Sequence, residues 1–192
     1  MNRQRGKVAG FSLIETLLAS TVGFVVIAAA SGMIVEGITG AKTVGDIYQV
    51  NHSSRTAMQW LGKDIKEACE IPTQVSINAT LYQADADTLI LRMNSNPDYI
   101  VYDLVPDGQD AQGNNLYRMA RTYIDSAGNT SVRVVAKNLA SPAQQGANPI
   151  FTLLDDRVNV NLTGLRRGIA TVAHGVDTYK RSMSCEFKRR ND

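Results

Sequence analysis

Apolar positions dominate the chain from Phe11 to Val35, where 25 residues carry one charge, Glu15. At about 1.5 Å per residue, a helix over that stretch spans about 37 Å, enough for a hydrocarbon core of about 30 Å. Beyond it, Ile34, Ile38, Ala41, Val44, Tyr48, Met58, Leu61, Ile65 and Ala68 recur at steps of three or four, with a polar gap around Asn51 and Ser54. That spacing predicts one helix of about 55 to 60 residues. Pro72 ends it after Glu70 or Ile71, because proline cannot continue the hydrogen-bond ladder. The domain boundaries that follow are 1–10, a basic leader; 11–35, a membrane-length segment; 36–71, the distal half of the helix; and 72–192, a second domain.

After Pro72 the period shortens toward two, and turn residues separate the runs. Strands are expected at Asp87 to Met93, Asp98 to Val105, Leu116 to Ile124 and Ser131 to Lys137. Further strands are expected at Phe151 to Leu154, Val158 to Leu162, Ile169 to Ala173 and Thr178 to Lys188. The Asp- and Gly-rich stretches 107–115 and 125–129 supply turns, and 141–149 a loop. The fold class is therefore α+β: an antiparallel sheet of about seven strands packed on the distal half of the helix. Gly32, Gly37, Gly40 and Gly45 each lower helix propensity by about 1 kcal/mol relative to alanine. They mark close helix packing, simple tolerance, or a stretch that can bend or extend.

Charge sharpens the picture at the N-terminus. Arg3, Arg5 and Lys7 precede Gly10 with no acid among them. Setting those three aside leaves 17 of the 20 basic residues against 18 acidic ones, about −1, so bulk charge does not indicate a nucleic-acid partner. The basic head would stay cytoplasmic and place everything after Val35 outside. A secretory signal cut before Ser31, after Ala28-Ala29-Ala30, is one alternative, and a plain single-pass anchor another. Against the signal, the apolar run exceeds an h-region of about 7 to 15 residues, and Glu15 interrupts it.

A carboxylate in the middle of a spanning helix costs on the order of 2.5 to 3.5 kcal/mol, less near its edge. No Lys, Arg or His lies between Lys7 and Lys42 to offset it. A cut between Gly10 and Phe11 would create a largely charged α-amine four residues before Glu15. The new helix start would also favour an acid in its first turn.

Basic leader, Gly10, Phe11-Ser-Leu-Ile-Glu15 and about twenty apolar residues resemble the class III signal of bacterial type IV pilins and type II secretion pseudopilins. That resemblance implies cleavage between Gly10 and Phe11 by prepilin peptidase and N-methylation of Phe11. It also implies an assembly contact in which Glu15 neutralises a neighbouring subunit's N-terminal amine. Leu61, Asp64, Ile65, Lys66 and Ala68 at the helix end are similar to the L-x-x-D-[IL]-[RK]-x-A pattern of PilW-type and J-type minor pilins and pseudopilins. Leu116-Tyr117-Arg118 after a hairpin, and a chain end near Arg189-Arg190-Asn191, fit the same subgroup.

The resemblance implies a pilin-like fold and a non-enzymatic structural subunit. It would begin in the inner membrane and end in a pilus or pseudopilus, its partners being prepilin peptidase, minor and major pilins or pseudopilins, an inner-membrane assembly platform and membrane lipid. The alternatives are a major pilin or, from another class, a secreted or anchored binding domain.

Other chemistry is sparse. His52 and His174 lack Cys or carboxylate at ligand spacing and are expected to be surface histidines. Asp107, Asp110 and Asn114 suggest a hairpin turn rather than calcium, since an EF-hand loop needs alternate-residue ligands. Asp155-Asp156 beside Arg157 reads as a turn or ion pair. No G-x-S-x-G, P-loop or zinc signature occurs, so catalytic residues, cofactors and metals are all expected to be none. Cys69 and Cys185 are the only cysteines. Outside the cytoplasm a bridge between them is chemically permitted, provided their Cα atoms come within about 7 Å. The alternative is two free buried thiols.

Overall fold

The computed structural model describes residues 12–93, 98–109, 113, 115–140, 148–165 and 180–190. The chain divides into two compact units, Met1–Gly45 and Asp46–Asp192. In element order it is one long helix, α1 (Leu13–Glu67), followed by nine described strands. The architecture is thus α+β with antiparallel sheets.

In the first unit the described chain is entirely the apolar part of α1. The backbone carbonyl of Ser12 accepts from the amides of Glu15 and Thr16 at 2.9 and 3.1 Å, which opens the helix there. Gly23, Gly32, Gly37, Gly40 and Gly45 meet nothing within 4 Å of where a Cβ would stand. Among the described residues no contact therefore requires a small residue at the four glycines singled out from the sequence.

In the second unit, α1 ends at Glu67, earlier than Pro72 requires. The reason is tertiary. Glu70 forms a bridge with Arg92, and the amide of Cys69 donates to the Arg92 carbonyl at 2.8 Å, so this segment joins the sheet edge. A two-stranded hairpin follows, β1 (Gln74–Ile77) and β2 (Thr80–Gln83). Its turn, Asn78-Ala79, has φ of 51° and 63°. Both residues sit in the left-handed region, where Asn is tolerated and Ala is unusual, so sequence patterning gives little sign of this hairpin.

The large sheet contains β3 (Thr88–Arg92), β4 (Tyr99–Gln109), β5 (Asn115–Ile124), β6 (Thr130–Leu139), β7 (Phe151–Leu154), β8 (Arg157–Leu165) and β9 (Lys180–Lys188). All its pairings are antiparallel, in the order β3-β4-β5-β6-β8-β7, with β9 also on β8. These seven strands match seven of the eight expected runs. The eighth, 169–173, lies outside the described residues. β8 organises the far half: β9 pairs along all of it, β7 takes Arg157 to Val160, and β6 meets it at Leu139 opposite Gly164. The turn between β7 and β8 is Asp155-Asp156, with Asp155 at φ 44°.

The sheet has two differently covered faces. One packs on the helix: Leu61, Ile65 and Ala68 meet Leu89, Leu91, Ile100, Tyr102, Met119 and Leu162 in one buried cluster. The other carries Ile90, Val101 and Ile124 beneath Val75, Ile77 and Tyr82 of the small hairpin. Two glycines set the approach. A Cβ on Gly164 would run into the Val50 side chain, and one on Gly62 would stand 2.6 Å from Cε1 of Phe187. Helix and strands close to that distance only because these positions lack side chains.

Candidate functional site on the N-terminal helix

The apolar half of α1 is long and apolar enough to cross a membrane, and none of its most apolar window is buried. Leu13, Ile14, Phe24 and Met33 are each exposed by 74% or more. Burying one such side chain is worth about 1.5 to 3 kcal/mol, so a helix this apolar and exposed could span a membrane.

Polar side chains in this half follow a consistent rule. The hydroxyls of Thr16, Ser20 and Thr21 donate to carbonyls three residues back, and those of Ser31 and Thr39 to carbonyls four back. Each hydroxyl is thereby satisfied inside its own helix, as an apolar medium requires. Glu15 does not follow this rule. It is exposed in the first turn, and its carboxylate makes no hydrogen bond or ion pair among the described residues. A carboxylate there is favoured by the free amides of the helix start, but that fraction of a charge does not replace a counterion. Gly10 and Phe11, the expected cleavage pair, lie outside the described residues.

The pattern at the distal end of the helix has a structural role that the sequence did not reveal. Leu61, Ile65 and Ala68 form its buried stripe, and Lys66 faces solvent. Asp64 sits on the buried side at 2% exposure. Its Oδ2 accepts from the Tyr102 hydroxyl on β4 and from Nε of Arg121 on β5, both at 2.6 Å. Those two residues are direct register partners, so one carboxylate ties the helix to two adjacent strands. Burial and the neighbouring Asp64 push the Tyr102 phenol well above its ordinary range. For Arg121 burial is the largest influence and works against the charge, yet the hydrogen bond and charge of Asp64 together with Tyr102 outweigh it, and the guanidinium is held more firmly protonated.

Around this pair lies a feature with no sequence signal, because its members are distant along the chain. Trp60, the single tryptophan, has Arg133 Cζ 4.9 Å, Arg121 Cζ 5.2 Å and Lys63 Nζ 5.9 Å from its ring centre. Three cations share one indole.

The remaining sequence candidates are not drawn together. His52 is exposed and stacks on Tyr48 one helical turn before it, with ring centres 6.0 Å apart. His174, Asp110 and Asn114 lie outside the described residues. Asp107 stands 4.0 Å from Arg118. Among the described residues no group of three His, Cys, Asp or Glu is placed to hold a metal. Asp156 does pair with Arg157, at 3.6 Å, and with Lys188 at 3.2 Å.

The cysteines correct an expectation: Cys69 and Cys185 are both free, and both are exposed rather than buried. The residue that reaches Cys69 is Arg189, whose guanidinium donates to the Cys69 carbonyl at 2.8 Å.

Compared with protein-family models, curated proteins and solved structures, the chain matches none.

Proposed function

We propose that this chain is a minor pilin or pseudopilin, a non-enzymatic subunit that helps initiate or assemble a type IV pilus or a type II secretion pseudopilus. The observation that carries the reading is Glu15: a first-turn carboxylate unpaired among the described residues, on an exposed apolar helix whose Thr16, Ser20, Thr21, Ser31 and Thr39 hydroxyls bond to its own backbone. Such a group needs a cation supplied from elsewhere. The sequence around it, with Gly10 and Phe11 behind a basic leader, resembles the signal at which prepilin peptidase frees an N-terminal amine.

In this reading α1 first holds the chain in the inner membrane with residues after Val35 outside the cytoplasm. Cleavage after Gly10 makes Phe11 the methylated N-terminus. Glu15 then docks on the amine of a neighbouring subunit, and the exposed apolar stripe exchanges lipid for other helices in the filament core. The α+β unit, pilin-like in this reading, contacts neighbouring pilins. The charge attraction supplies direction rather than most of the energy, since the apolar stripe is large and a single ion pair is small.

N-terminal mass spectrometry of the mature protein tests the reading. A methylated Phe11 is the expected start. A chain beginning at Ser31, or an intact leader in the assembled state, would sink it.

A further inference from the structure

The globular unit carries two clusters of opposite charge, neither fully neutralised among the described residues. The first is the Trp60 platform. Of its three cations only Arg121 has a carboxylate partner, Asp64. Among the described residues Lys63 and Arg133 have no acid within ion-pair distance, although Glu67 stands one turn from Lys63. Arg121 and Arg133 face each other directly across β5 and β6. Like charges in that position repel. Asp64 and the indole relieve part of this, and the exposed Arg133 and Lys63 retain an unmet demand for anions.

The second cluster is acidic. Asp85, Asp87 and Asp103 gather where β2 runs into β3, and none of them ion-pairs with a basic side chain among the described residues. Asp85 caps the turn, its Oδ1 accepting from the amides of Asp87 and Thr88, both at 2.8 Å. Asp103 lies across from Thr88 in the β3–β4 register. Burial raises the pKa of Asp87 and of Asp103, and the Asp85 charge raises both further. One oxygen of Asp87 is buried with no hydrogen-bond donor.

The sheet fixes how the clusters relate. Tyr102, which shares Asp64 with Arg121, is on the helix-covered face. Asp103 is the next residue along β4 and so belongs to the opposite face, with Val101 and Ile90. Asp103 therefore lies on the opposite face of the sheet from Arg121 and Arg133, at a neighbouring strand position, and no ion pair joins the two clusters among the described residues.

We propose that the Trp60–Lys63–Arg133 platform receives the Asp85–Asp87–Asp103 cluster of a second copy of this chain. The contact is heterologous, one patch meeting a different patch, so it adds copies head to tail and closes into a ring or extends as an open row. Arg133 offers a planar fork suited to a carboxylate, and Lys63 a point charge beside it. A nucleic acid suits the site less well. The indole is already attended by two guanidinium groups, which compete with bases for stacking, and the charge beyond the leader is about neutral. The inference stands on the globular unit alone and does not depend on the filament reading.

A charge exchange tests it, using the full chain in detergent at one chain per micelle and sedimentation to read association. One variant carries Lys63→Glu and Arg133→Glu, the other Asp85→Lys and Asp87→Lys. The wild type is expected to self-associate, with an affinity at least tenfold weaker at high salt than at low salt. Each variant alone should stay monomeric, and an equimolar mixture should associate again, because the two altered surfaces are once more complementary. Arg133→Gln, a milder change, should weaken wild-type association while leaving the circular dichroism spectrum unchanged. A monomeric wild type, or association of either variant by itself at wild-type strength, overturns the proposal. Failure of the mixture to recover, with both variants folded by circular dichroism, overturns it too. So does binding of single-stranded oligothymidylate that Lys63→Glu/Arg133→Glu abolishes while chains remain apart.

Discussion

Arg121 on β5 donates through Nε to Oδ2 of Asp64 on α1 at 2.6 Å, and Asp64 is 2% exposed. The Tyr102 hydroxyl reaches the same oxygen. A buried carboxylate so placed is stable only while both donors remain, which makes it a lock between helix and sheet. Removing one partner of a buried pair leaves the other uncompensated, at a cost of about 3 to 5 kcal/mol. Asp64→Ala should therefore destabilise the globular unit by that order, read from urea unfolding followed by Trp60 emission. Asp64→Asn keeps the shape and an acceptor, and should lose less.

Tyr102 adds a pH dependence. Its phenol pKa is raised in the folded state, so its contribution is complete below the ordinary tyrosine value of about 10 and is lost as pH climbs through the higher folded value. Alkaline unfolding of the wild type is expected to begin above that ordinary value. Tyr102→Phe should lose about 1.5 to 3 kcal/mol at neutral pH, as for a hydrogen bond to a charged group. The difference between the two should shrink as pH rises.

Asp103 has the opposite consequence at neutral pH. Its pKa is raised by burial first and by Asp85 also, so the folded state prefers the protonated form. The group favours folding below its ordinary value of about 3.9 and opposes it once ionised. Asp103→Asn should raise the melting temperature at pH 7, and the gain should disappear near pH 3.

Gly164 is a packing site. Any side chain there meets Val50 of the helix, with the Ser54 hydroxyl 3.3 Å from the Cβ position. Gly164→Ala is expected to destabilise by about 1 to 3 kcal/mol, the usual effect of overpacking. Gly37→Ala, in open surroundings on the same helix, should leave thermal stability unchanged or slightly higher.

Glu15→Ala tests the proposed docking role separately from processing. Cleavage after Gly10 should proceed, since the leader and the cut site are intact, whereas incorporation into filaments should fall sharply. Comparing mature protein in membranes with protein in sheared filaments measures both. Wild-type incorporation would refute the role.

Much of this molecule is written locally. The apolar run, its one acid, the helical spacing to Ala68 and seven strands of the large sheet are all periodic signals between near neighbours. Side-chain period follows backbone geometry, so these were legible in the sequence. What required the tertiary structure was anything joining distant residues. The helix stops at Glu67 because Glu70 pairs with Arg92, not because of Pro72. The Asn78-Ala79 hairpin escapes notice because its turn lacks the usual glycine. Spacing along the chain could not show that Cys69 and Cys185 are free and exposed, or that the Arg189 guanidinium reaches the Cys69 carbonyl. Asp64 stands out in the sequence only as part of a helix-end pattern, with no sign of its partners. Only the β4–β5 register shows that it faces Tyr102 and Arg121, 38 and 57 positions away. The sequence by itself determined which segments are apolar and where the unmet charge of Glu15 stands. Folding decided which charges in the globular unit are answered and which remain open, because that depends on which strands lie side by side.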